Sequence, residues 1–188
     1  MASYSTNEFR GGLKIMIDGD PCAIIENEFV KPGKGNAFTR TKLKNLITGA
    51  VLDRTFRAGE NVPKATIDRR DFQYLFRDDM GFNFMDGETF EQISLSEEAV
   101  GGAGSYIADG ATVRLSMHEG KPIGIELPAA VELEVSHAEP GVKGDRVSGA
   151  TKPVTLATGL VIQAPLFVDV GDVVKVDTRT GDYITRVT

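Results

Sequence analysis

A lysine flanked by glycines is the first residue in this sequence whose setting suggests a chemical role. It is Lys34, in the turn Pro32-Gly33-Lys34-Gly35. Proline fixes its own φ at about −65° and has no N–H to donate, whereas glycine tolerates positive φ and has no side chain. The turn therefore predicts a lysine that projects with little steric shielding. Local chemistry alone does not distinguish it from an ordinary solvated turn.

Further basic residues lie on the hairpin predicted around this turn. Lys31 precedes the turn, and Arg40, Lys42 and Lys44 alternate on the strand after it. Residues two apart on a strand point to the same face of the sheet, so we expect these three cations side by side. They could meet RNA phosphates or form a solvated face of the strand.

Asp and Glu are plentiful, but nothing in the sequence singles out an acid/base pair, and histidine and cysteine are few and scattered. His118 and His137 are the only histidines, and Cys22 is the only cysteine. None of them has a partner at the spacing of a metal site or of a nucleophile motif. With one cysteine, no disulfide can form within the chain. The sequence therefore argues against an enzyme and against a metal site.

Charge is distributed unevenly along the chain. The net charge of the 188 residues is −6, which taken alone argues against a simple RNA binder. Residues 1–64 hold 10 Lys and Arg against 7 Asp and Glu, residues 65–128 hold 5 against 12, and residues 129–188 hold 6 against 8. The first part is thus basic and the middle acidic, which suggests that different parts face different partners.

The sequence shows no sign of export or membrane insertion. The N-terminal residues lack the basic and apolar stretches of a signal peptide. No apolar run approaches the roughly 20 residues that a membrane-spanning helix needs. We therefore expect a cytoplasmic, monomeric protein with no membrane partner.

Short alternating apolar segments separated by turns predict an all-β fold. Three hairpins fall within about the first 60 residues, and they favour a small barrel because closure removes exposed strand edges. Residues 60–64 form a plausible linker, and Pro128 marks a second boundary. We therefore predict three small β-barrels, spanning residues 1–64, 65–128 and 129–188.

The middle region predicts an aromatic-rich hairpin followed by a short helix that starts at Ser96. The hairpin carries five aromatic residues, namely Phe72, Tyr74, Phe76, Phe82 and Phe84. Alternation places most of them in the core. If they were exposed, they could stack on the bases of single-stranded RNA. A general OB-type RNA-binding module is therefore the alternative function.

The chain resembles elongation factor P along essentially its whole length. The matching segments are residues 4–10 and 12–15 at the start, 28–38 around the lysine turn, 88–92 in the middle, and 166–168 and 175–179 near the end, with Lys152, Gly159, Pro165 and Gly171 at the family's spacing. Val154 and Ala164 replace the commoner Ala and Val, which are small apolar exchanges.

The resemblance implies both a fold and a function. The fold is an SH3-like first barrel followed by two OB-like barrels in an elongated arrangement. The function is that of a translation factor that binds the ribosome next to the peptidyl-site tRNA, promotes peptide-bond formation and relieves stalls at consecutive prolines. Such a factor needs no catalytic residue, metal or dissociable cofactor, because it acts by holding the tRNA in an attack-ready geometry.

The resemblance also implies a role for Lys34, which falls on the modified lysine of the family. In many members a dedicated synthetase-like enzyme adds a lysine-like group to the ε-amino group of this residue. Other branches use a different extension or place Arg at the tip, and the absence of Arg here disfavours the glycosylated-arginine branch. An extended Lys34 would reach the tRNA acceptor end as a cation on a flexible stem.

Other residues are expected to contact tRNA or the ribosome. In the first domain they are Lys31, Pro32, Gly33, Gly35, Arg40 and Lys42, and in the third domain Lys143, Arg146, Tyr183 and Arg186. The resemblance favours Tyr183 and Arg186, since they match a segment that the family uses functionally. Without it, Tyr183 would be equally typical of a barrel residue. The acidic middle domain could face a basic ribosomal protein.

Overall fold

The computed structural model describes residues 2–141 and 149–187. Within these ranges the backbone forms sixteen β-strands, one four-residue α-helix and two 3-10 segments. The strands form three sheets of four, five and five strands and one two-stranded pair. The predicted all-β class with barrel-like domains is confirmed.

The first sheet is a four-stranded antiparallel meander in the order β2-β3-β4-β5, beside which β1 pairs with β6. These strands are β1 (Ser3–Ser5), β2 (Lys14–Ile17), β3 (Asp20–Val30), β4 (Phe38–Asn45), β5 (Val51–Arg57) and β6 (Asn61–Pro63). A 3-10 segment, Thr6–Glu8, follows β1 and is closed by a capping box between Ser5 and Glu8.

Alternation along β4 decides which side chains enter the first core. Thr39, Thr41 and Leu43 are buried, while the basic residues between them are exposed, as the pattern predicted. Buried Thr41 satisfies its hydroxyl by donating to Asn27 Oδ1 at 2.9 Å. The apolar residues of this core are Phe9, Ile15, Ile17, Cys22, Ile24, Leu43, Phe56 and Val62. Burial raises the pKa of the Cys22 thiol.

The second sheet has the strand order β11-β10-β7-β8-β9. Its elements are β7 (Asp68–Asp78), β8 (Gly81–Asp86), β9 (Gln92–Leu95), α1 (Glu97–Val100), β10 (Thr112–His118) and β11 (Lys121–Glu126). Helix α1 begins as predicted, because the Ser96 side chain accepts a hydrogen bond from Ala99 N at 3.2 Å. A 3-10 segment, Gly101–Tyr106, follows the helix.

The third sheet has the order β14-β13-β12-β15-β16. Its strands are β12 (Ala130–Ala138), β13 (Thr151–Leu156), β14 (Val161–Pro165), β15 (Val173–Asp177) and β16 (Tyr183–Val187). Its core is aliphatic and consists of Leu133, Val135, Val154, Leu156, Ile162, Ala164, Val168, Val174 and Val176.

The chain divides into two compact units. One comprises Met1–Arg69 with Ser116–Gly124, and the other comprises Arg70–Leu115 with Ile125–Thr188. The three domain ranges and their elongated arrangement stay predictions.

Candidate functional site

The lysine turn lies at the end of the long β3–β4 hairpin, called the arm below, in which β4 also pairs with β5 as far as Phe38. Strands β3 and β4 pair from Cys22 and Asn45 to Val30 and Phe38, and residues 31–37 connect them. The long pairing follows from alternating residues on both strands, which keep one face buried near the core and the other exposed. The arm therefore presents the turn away from the end of the sheet where Cys22 is buried.

The two glycines of the turn play different roles. Gly35 has a φ of +105°, a conformation that L side chains rarely adopt, so this position requires glycine. Gly33 is outside that region, and a Cβ built on it would meet no atom within 4 Å. Lys34 between them is exposed. The turn is thus both open and free of side-chain cover, as its sequence predicted.

Lys31 and Lys34 are the two cations of residues 31–37, which connect β3 to β4. Both side chains are exposed, and within residues 2–141 and 149–187 neither takes part in an ion pair. From Phe29 to Phe38 the chain contains these two lysines and no Asp or Glu. The turn therefore carries a positive charge that no neighbouring carboxylate in the segment offsets.

Arg40 and Lys42 lie on the exposed face of β4, where carboxylates stand opposite them. Arg40 Nη1 lies 3.9 Å from Glu28 Oε2 on β3. In the strand register, Lys42 is flanked by Glu26 on β3 and Asp53 on β5. Opposite charges facing each other across strands stabilise the pairing. They also reduce the positive potential that these two residues offer to a phosphate.

Lys44 has different cross-strand neighbours. In the register it lies between Ala23 on β3 and Val51 on β5, and its side chain is exposed. The basic strand face predicted from the sequence is therefore present, but only two of its three cations are matched by carboxylates.

Tyr183 and Arg186 lie on β16, in the other compact unit. Tyr183 is half-buried and packs against the third core. The Arg186 guanidinium lies 5.0 Å from the centre of the Phe167 ring, and its Nη1 is 3.5 Å from Asp172 Oδ2. Both residues thus have intramolecular roles in addition to any contact that they make with a partner. The expected contacts Lys143 and Arg146 lie outside the described residues.

The five aromatic residues of the alternative function are mostly core residues. Phe72, Tyr74, Phe82 and Phe84 are buried, whereas Phe76 is 51% exposed. The exception follows from a bulge in β7 between Tyr74 and Phe76, which shifts the alternation there. A row of stacking rings on this hairpin is therefore not available to single-stranded RNA.

Sequence reasoning assigned no role to one exposed aromatic residue near the turn, Phe29, whose ring is 57% exposed. The sequence feature that could have identified Phe29 is its position two residues before Lys31, in a segment without acidic residues. Its exposure depends on where the core ends, which cannot be seen in the sequence.

The two histidines lie on strands of different sheets, His118 on β10 and His137 on β12. His118 ends β10 and is buried, with Nδ1 3.1 Å from Thr66 O. No group of three or more His, Cys, Asp or Glu in residues 2–141 and 149–187 could hold a metal ion. No helix in that part of the chain is long and apolar enough to cross a membrane.

Family models match the chain in three consecutive segments. Residues 5–62 match the elongation factor P (EF-P) KOW-like domain, residues 67–125 the elongation factor P (EF-P) OB domain, and residues 131–186 the elongation factor P C-terminal model. Each barrel-sized segment is thus similar to the corresponding part of one family.

Relatives of nearly equal length carry the same name. The chain is 55% identical over 182 residues to elongation factor P of Moorella thermoacetica, covering 97% of this chain and 98% of that protein. It is 50% identical to elongation factor P of Nocardia farcinica, covering 97% of each. A solved structure of eukaryotic translation initiation factor 5A from Methanococcus jannaschii matches 66% of this chain and 95% of its own, with 26% identity and a TM-score of 0.54. By its domain matches and its near full-length relatives, the chain belongs to the elongation factor P family.

Proposed function

We propose that this chain binds the ribosome next to the peptidyl-site tRNA and relieves stalls at consecutive prolines by positioning the tRNA acceptor end. Family membership makes the chain a translation elongation factor rather than an enzyme. The observation that carries the finer proposal is the exposed Lys34 at the end of the β3–β4 arm, flanked by glycines and unopposed by carboxylates.

Positioning alone is sufficient for such an activity. Proline reacts slowly in peptide transfer partly because its ring constrains the geometry of attack. Holding two reactants in an attack-ready geometry can lower the activation barrier of a reaction by about 7–11 kcal/mol in favourable cases. The factor then needs no acid, base or nucleophile of its own. This agrees with the scattered placement of the two histidines and of Cys22, of which His118 and Cys22 are buried.

The proposed working group is Lys34 carrying a covalent extension on its ε-amino group. A lysine-like extension, added by a synthetase-like enzyme, would lengthen the reach of the side chain and keep its positive charge. The open space around Gly33 supports this, because an enzyme and later an RNA strand must both approach the backbone closely.

Further contacts would orient the factor. Lys31 and the backbone of Pro32, Gly33 and Gly35 would meet RNA beside Lys34, with smaller contributions from Arg40 and Lys42 because of their carboxylate neighbours. Elsewhere in the chain the proposed contacts with tRNA or the ribosome are Lys143, Arg146, Tyr183 and Arg186. The factor would act in the cytoplasm as a monomer.

The Lys34→Arg variant tests this proposal. Arginine keeps the positive charge but cannot accept the extension, so the variant should fold normally and fail to relieve proline stalls. The measurement is expression of a reporter with consecutive prolines in a strain that lacks the factor, together with the melting temperature of the purified variant. Lys44→Arg, on the same arm, is the matched control and should rescue fully.

Two results would count against the proposal. Full rescue by Lys34→Arg would remove the modified-lysine mechanism. Mass spectrometry of the Lys34 peptide from the native host should show added mass. An unmodified peptide in fully active protein would make Lys34 an ordinary basic contact.

A further inference from the structure

Phe29 lies on the core-facing side of the arm but outside the core. In the strand register it is opposite Thr39 on β4, which in turn is opposite Phe56 on β5. Thr39 is 1% exposed and Phe56 is 8% exposed, whereas Phe29 is 57% exposed. The ring therefore continues the inner face of the sheet past the point where the core ends.

A single exposed apolar residue is common on protein surfaces and needs no explanation by itself. The charge around Phe29 separates it from that background. Lys31 follows it by two residues and Lys34 by five, and no Asp or Glu occurs from Phe29 to Phe38. By contrast, the outer face of the same strands places carboxylates opposite Arg40 and Lys42. Only the Phe29 end of the arm combines an open ring with unopposed cations.

An exposed ring beside unopposed cations suits unpaired nucleic acid better than a protein partner. Unpaired nucleic acid is bound by aromatic rings that stack on bases and by cations that meet the neighbouring phosphates. A protein partner would be expected to bury a wider apolar patch. Here the connection of residues 31–37 offers only two half-buried apolar side chains, Pro32 and Ala37, and is otherwise lysine, glycine and asparagine.

We propose that Phe29 is a stacking platform for one unpaired base of the tRNA acceptor end, while Lys31 and Lys34 neutralise the phosphates next to that base. The proposal deepens the function proposed above and rests on it. Phe29 would thereby hold the acceptor end in register with the extended Lys34, so that the arm binds the RNA strand at two places.

The test compares Phe29→Leu with Phe29→Tyr. Leucine keeps apolar cover over Thr39 but has no ring face, whereas tyrosine keeps the ring. With purified ribosomes stalled at consecutive prolines, Phe29→Leu should slow peptide transfer about tenfold, on the order of the loss of one base stack. Phe29→Tyr should stay within about twofold of the wild type. Phe76→Leu, at a comparably exposed aromatic residue, is the control and should leave the rate unchanged.

The other possible results distinguish a failure of the stacking proposal from a failure of the proposed function. Wild-type speed of Phe29→Leu, together with an inactive Lys34→Arg, overturns the stacking proposal and leaves the proposed function intact. Wild-type speed of Lys34→Arg overturns the modified-lysine mechanism of the proposed function. If Phe29→Leu is slow but mass spectrometry finds its Lys34 unmodified, Phe29 is a docking residue for the modifying enzyme and the stacking proposal is wrong. Melting temperatures check that both variants fold.

A tRNA series identifies the stacked base. Peptidyl tRNAs that lack one base at each unpaired acceptor-end position should include one on which the wild type and Phe29→Leu react equally fast. If Phe29→Leu remains about tenfold slower than the wild type on every tRNA of the series, the ring does not stack on an acceptor-end base.

Discussion

Lys34 differs from Arg40 and Lys42 in what stands opposite it. Arg40 and Lys42 face Glu28, Glu26 and Asp53 across the strands, so part of their charge is used within the sheet. Lys34 has no such neighbour in its segment.

Asp86 caps the turn that follows β8. Its carboxylate accepts hydrogen bonds from Glu88 N at 2.7 Å and Thr89 N at 3.1 Å, and it lies 3.7 Å from Arg70 Nη1. The two backbone hydrogen bonds contribute most to holding the pKa of Asp86 below its ordinary value of 3.8, and the positive charge of Arg70 adds a smaller contribution. The same turn keeps Phe90 at a φ of +61°, a costly conformation for a bulky residue.

We predict that the stabilisation from Asp86 depends on pH. Because its pKa is lowered by folding, its contribution is fully present above the ordinary pKa and is lost as pH falls through the lowered pKa. Asp86→Asn should therefore destabilise the protein most near pH 7 and much less near about pH 2.5. Urea unfolding of both proteins at each pH measures the difference, and an equal difference at both pH values would contradict the assignment.

At the scale of elements, tight turns set how the strands of the second sheet approach each other. Gly81, at the β7–β8 turn, has a φ of +130°, and a Cβ there would lie 2.1 Å from Leu95 O on the neighbouring strand. Gly120, at the β10–β11 turn, also has a positive φ of +76°, but a Cβ there would meet no atom within 4 Å. The two hairpins thus need glycine for different reasons.

Alanine substitutions at Gly81 and Gly120 should therefore destabilise the protein to different extents. Gly81→Ala should lower the free energy of unfolding by about 3 kcal/mol or more, because a backbone carbonyl of β9 must move. Gly120→Ala should cost only about 1 kcal/mol, the price of a left-handed residue with a side chain. Chemical unfolding measures both values. Equal losses of unfolding free energy would show that the close approach of β9 to Gly81 adds nothing to the cost of a side chain at that position.

At the scale of the whole molecule, an acidic protein is proposed to bind RNA. The net charge of −6 opposes this, but residues 1–64 carry a net +3, and no Asp or Glu occurs from Phe29 to Phe38 to offset Lys31 and Lys34. Binding should therefore depend on a few local contacts and not on the total charge, since screening limits the reach of charges to about 8 Å at physiological salt.

The salt dependence of ribosome binding tests this directly. Lys31→Gln should reduce the slope of log affinity against log salt by about 0.7–0.9, the value for one lost phosphate contact. Arg40→Gln should reduce it by less than about half as much, because Glu28 already pairs with Arg40. Equal changes in slope would mean that the carboxylate does not weaken the contact made by Arg40.

The amino-acid sequence alone predicts the all-β class, the short helix after Ser96, the alternating burial along β4 and the open turn around Lys34. Each of these follows from residues close together in the chain, through side-chain period, capping and the backbone freedom of glycine. The sequence resemblance also identified the family.

Only the tertiary structure decided which strands are neighbours, and with them the electrostatic setting of the cations. Glu26 and Asp53 meet Lys42 because β4 lies between β3 and β5 in one register. Phe76 is exposed because a bulge shifts its strand, and Phe29 is exposed because the core ends before its ring. Register and core extent depend on residues far apart in the chain, so no local pattern specifies them.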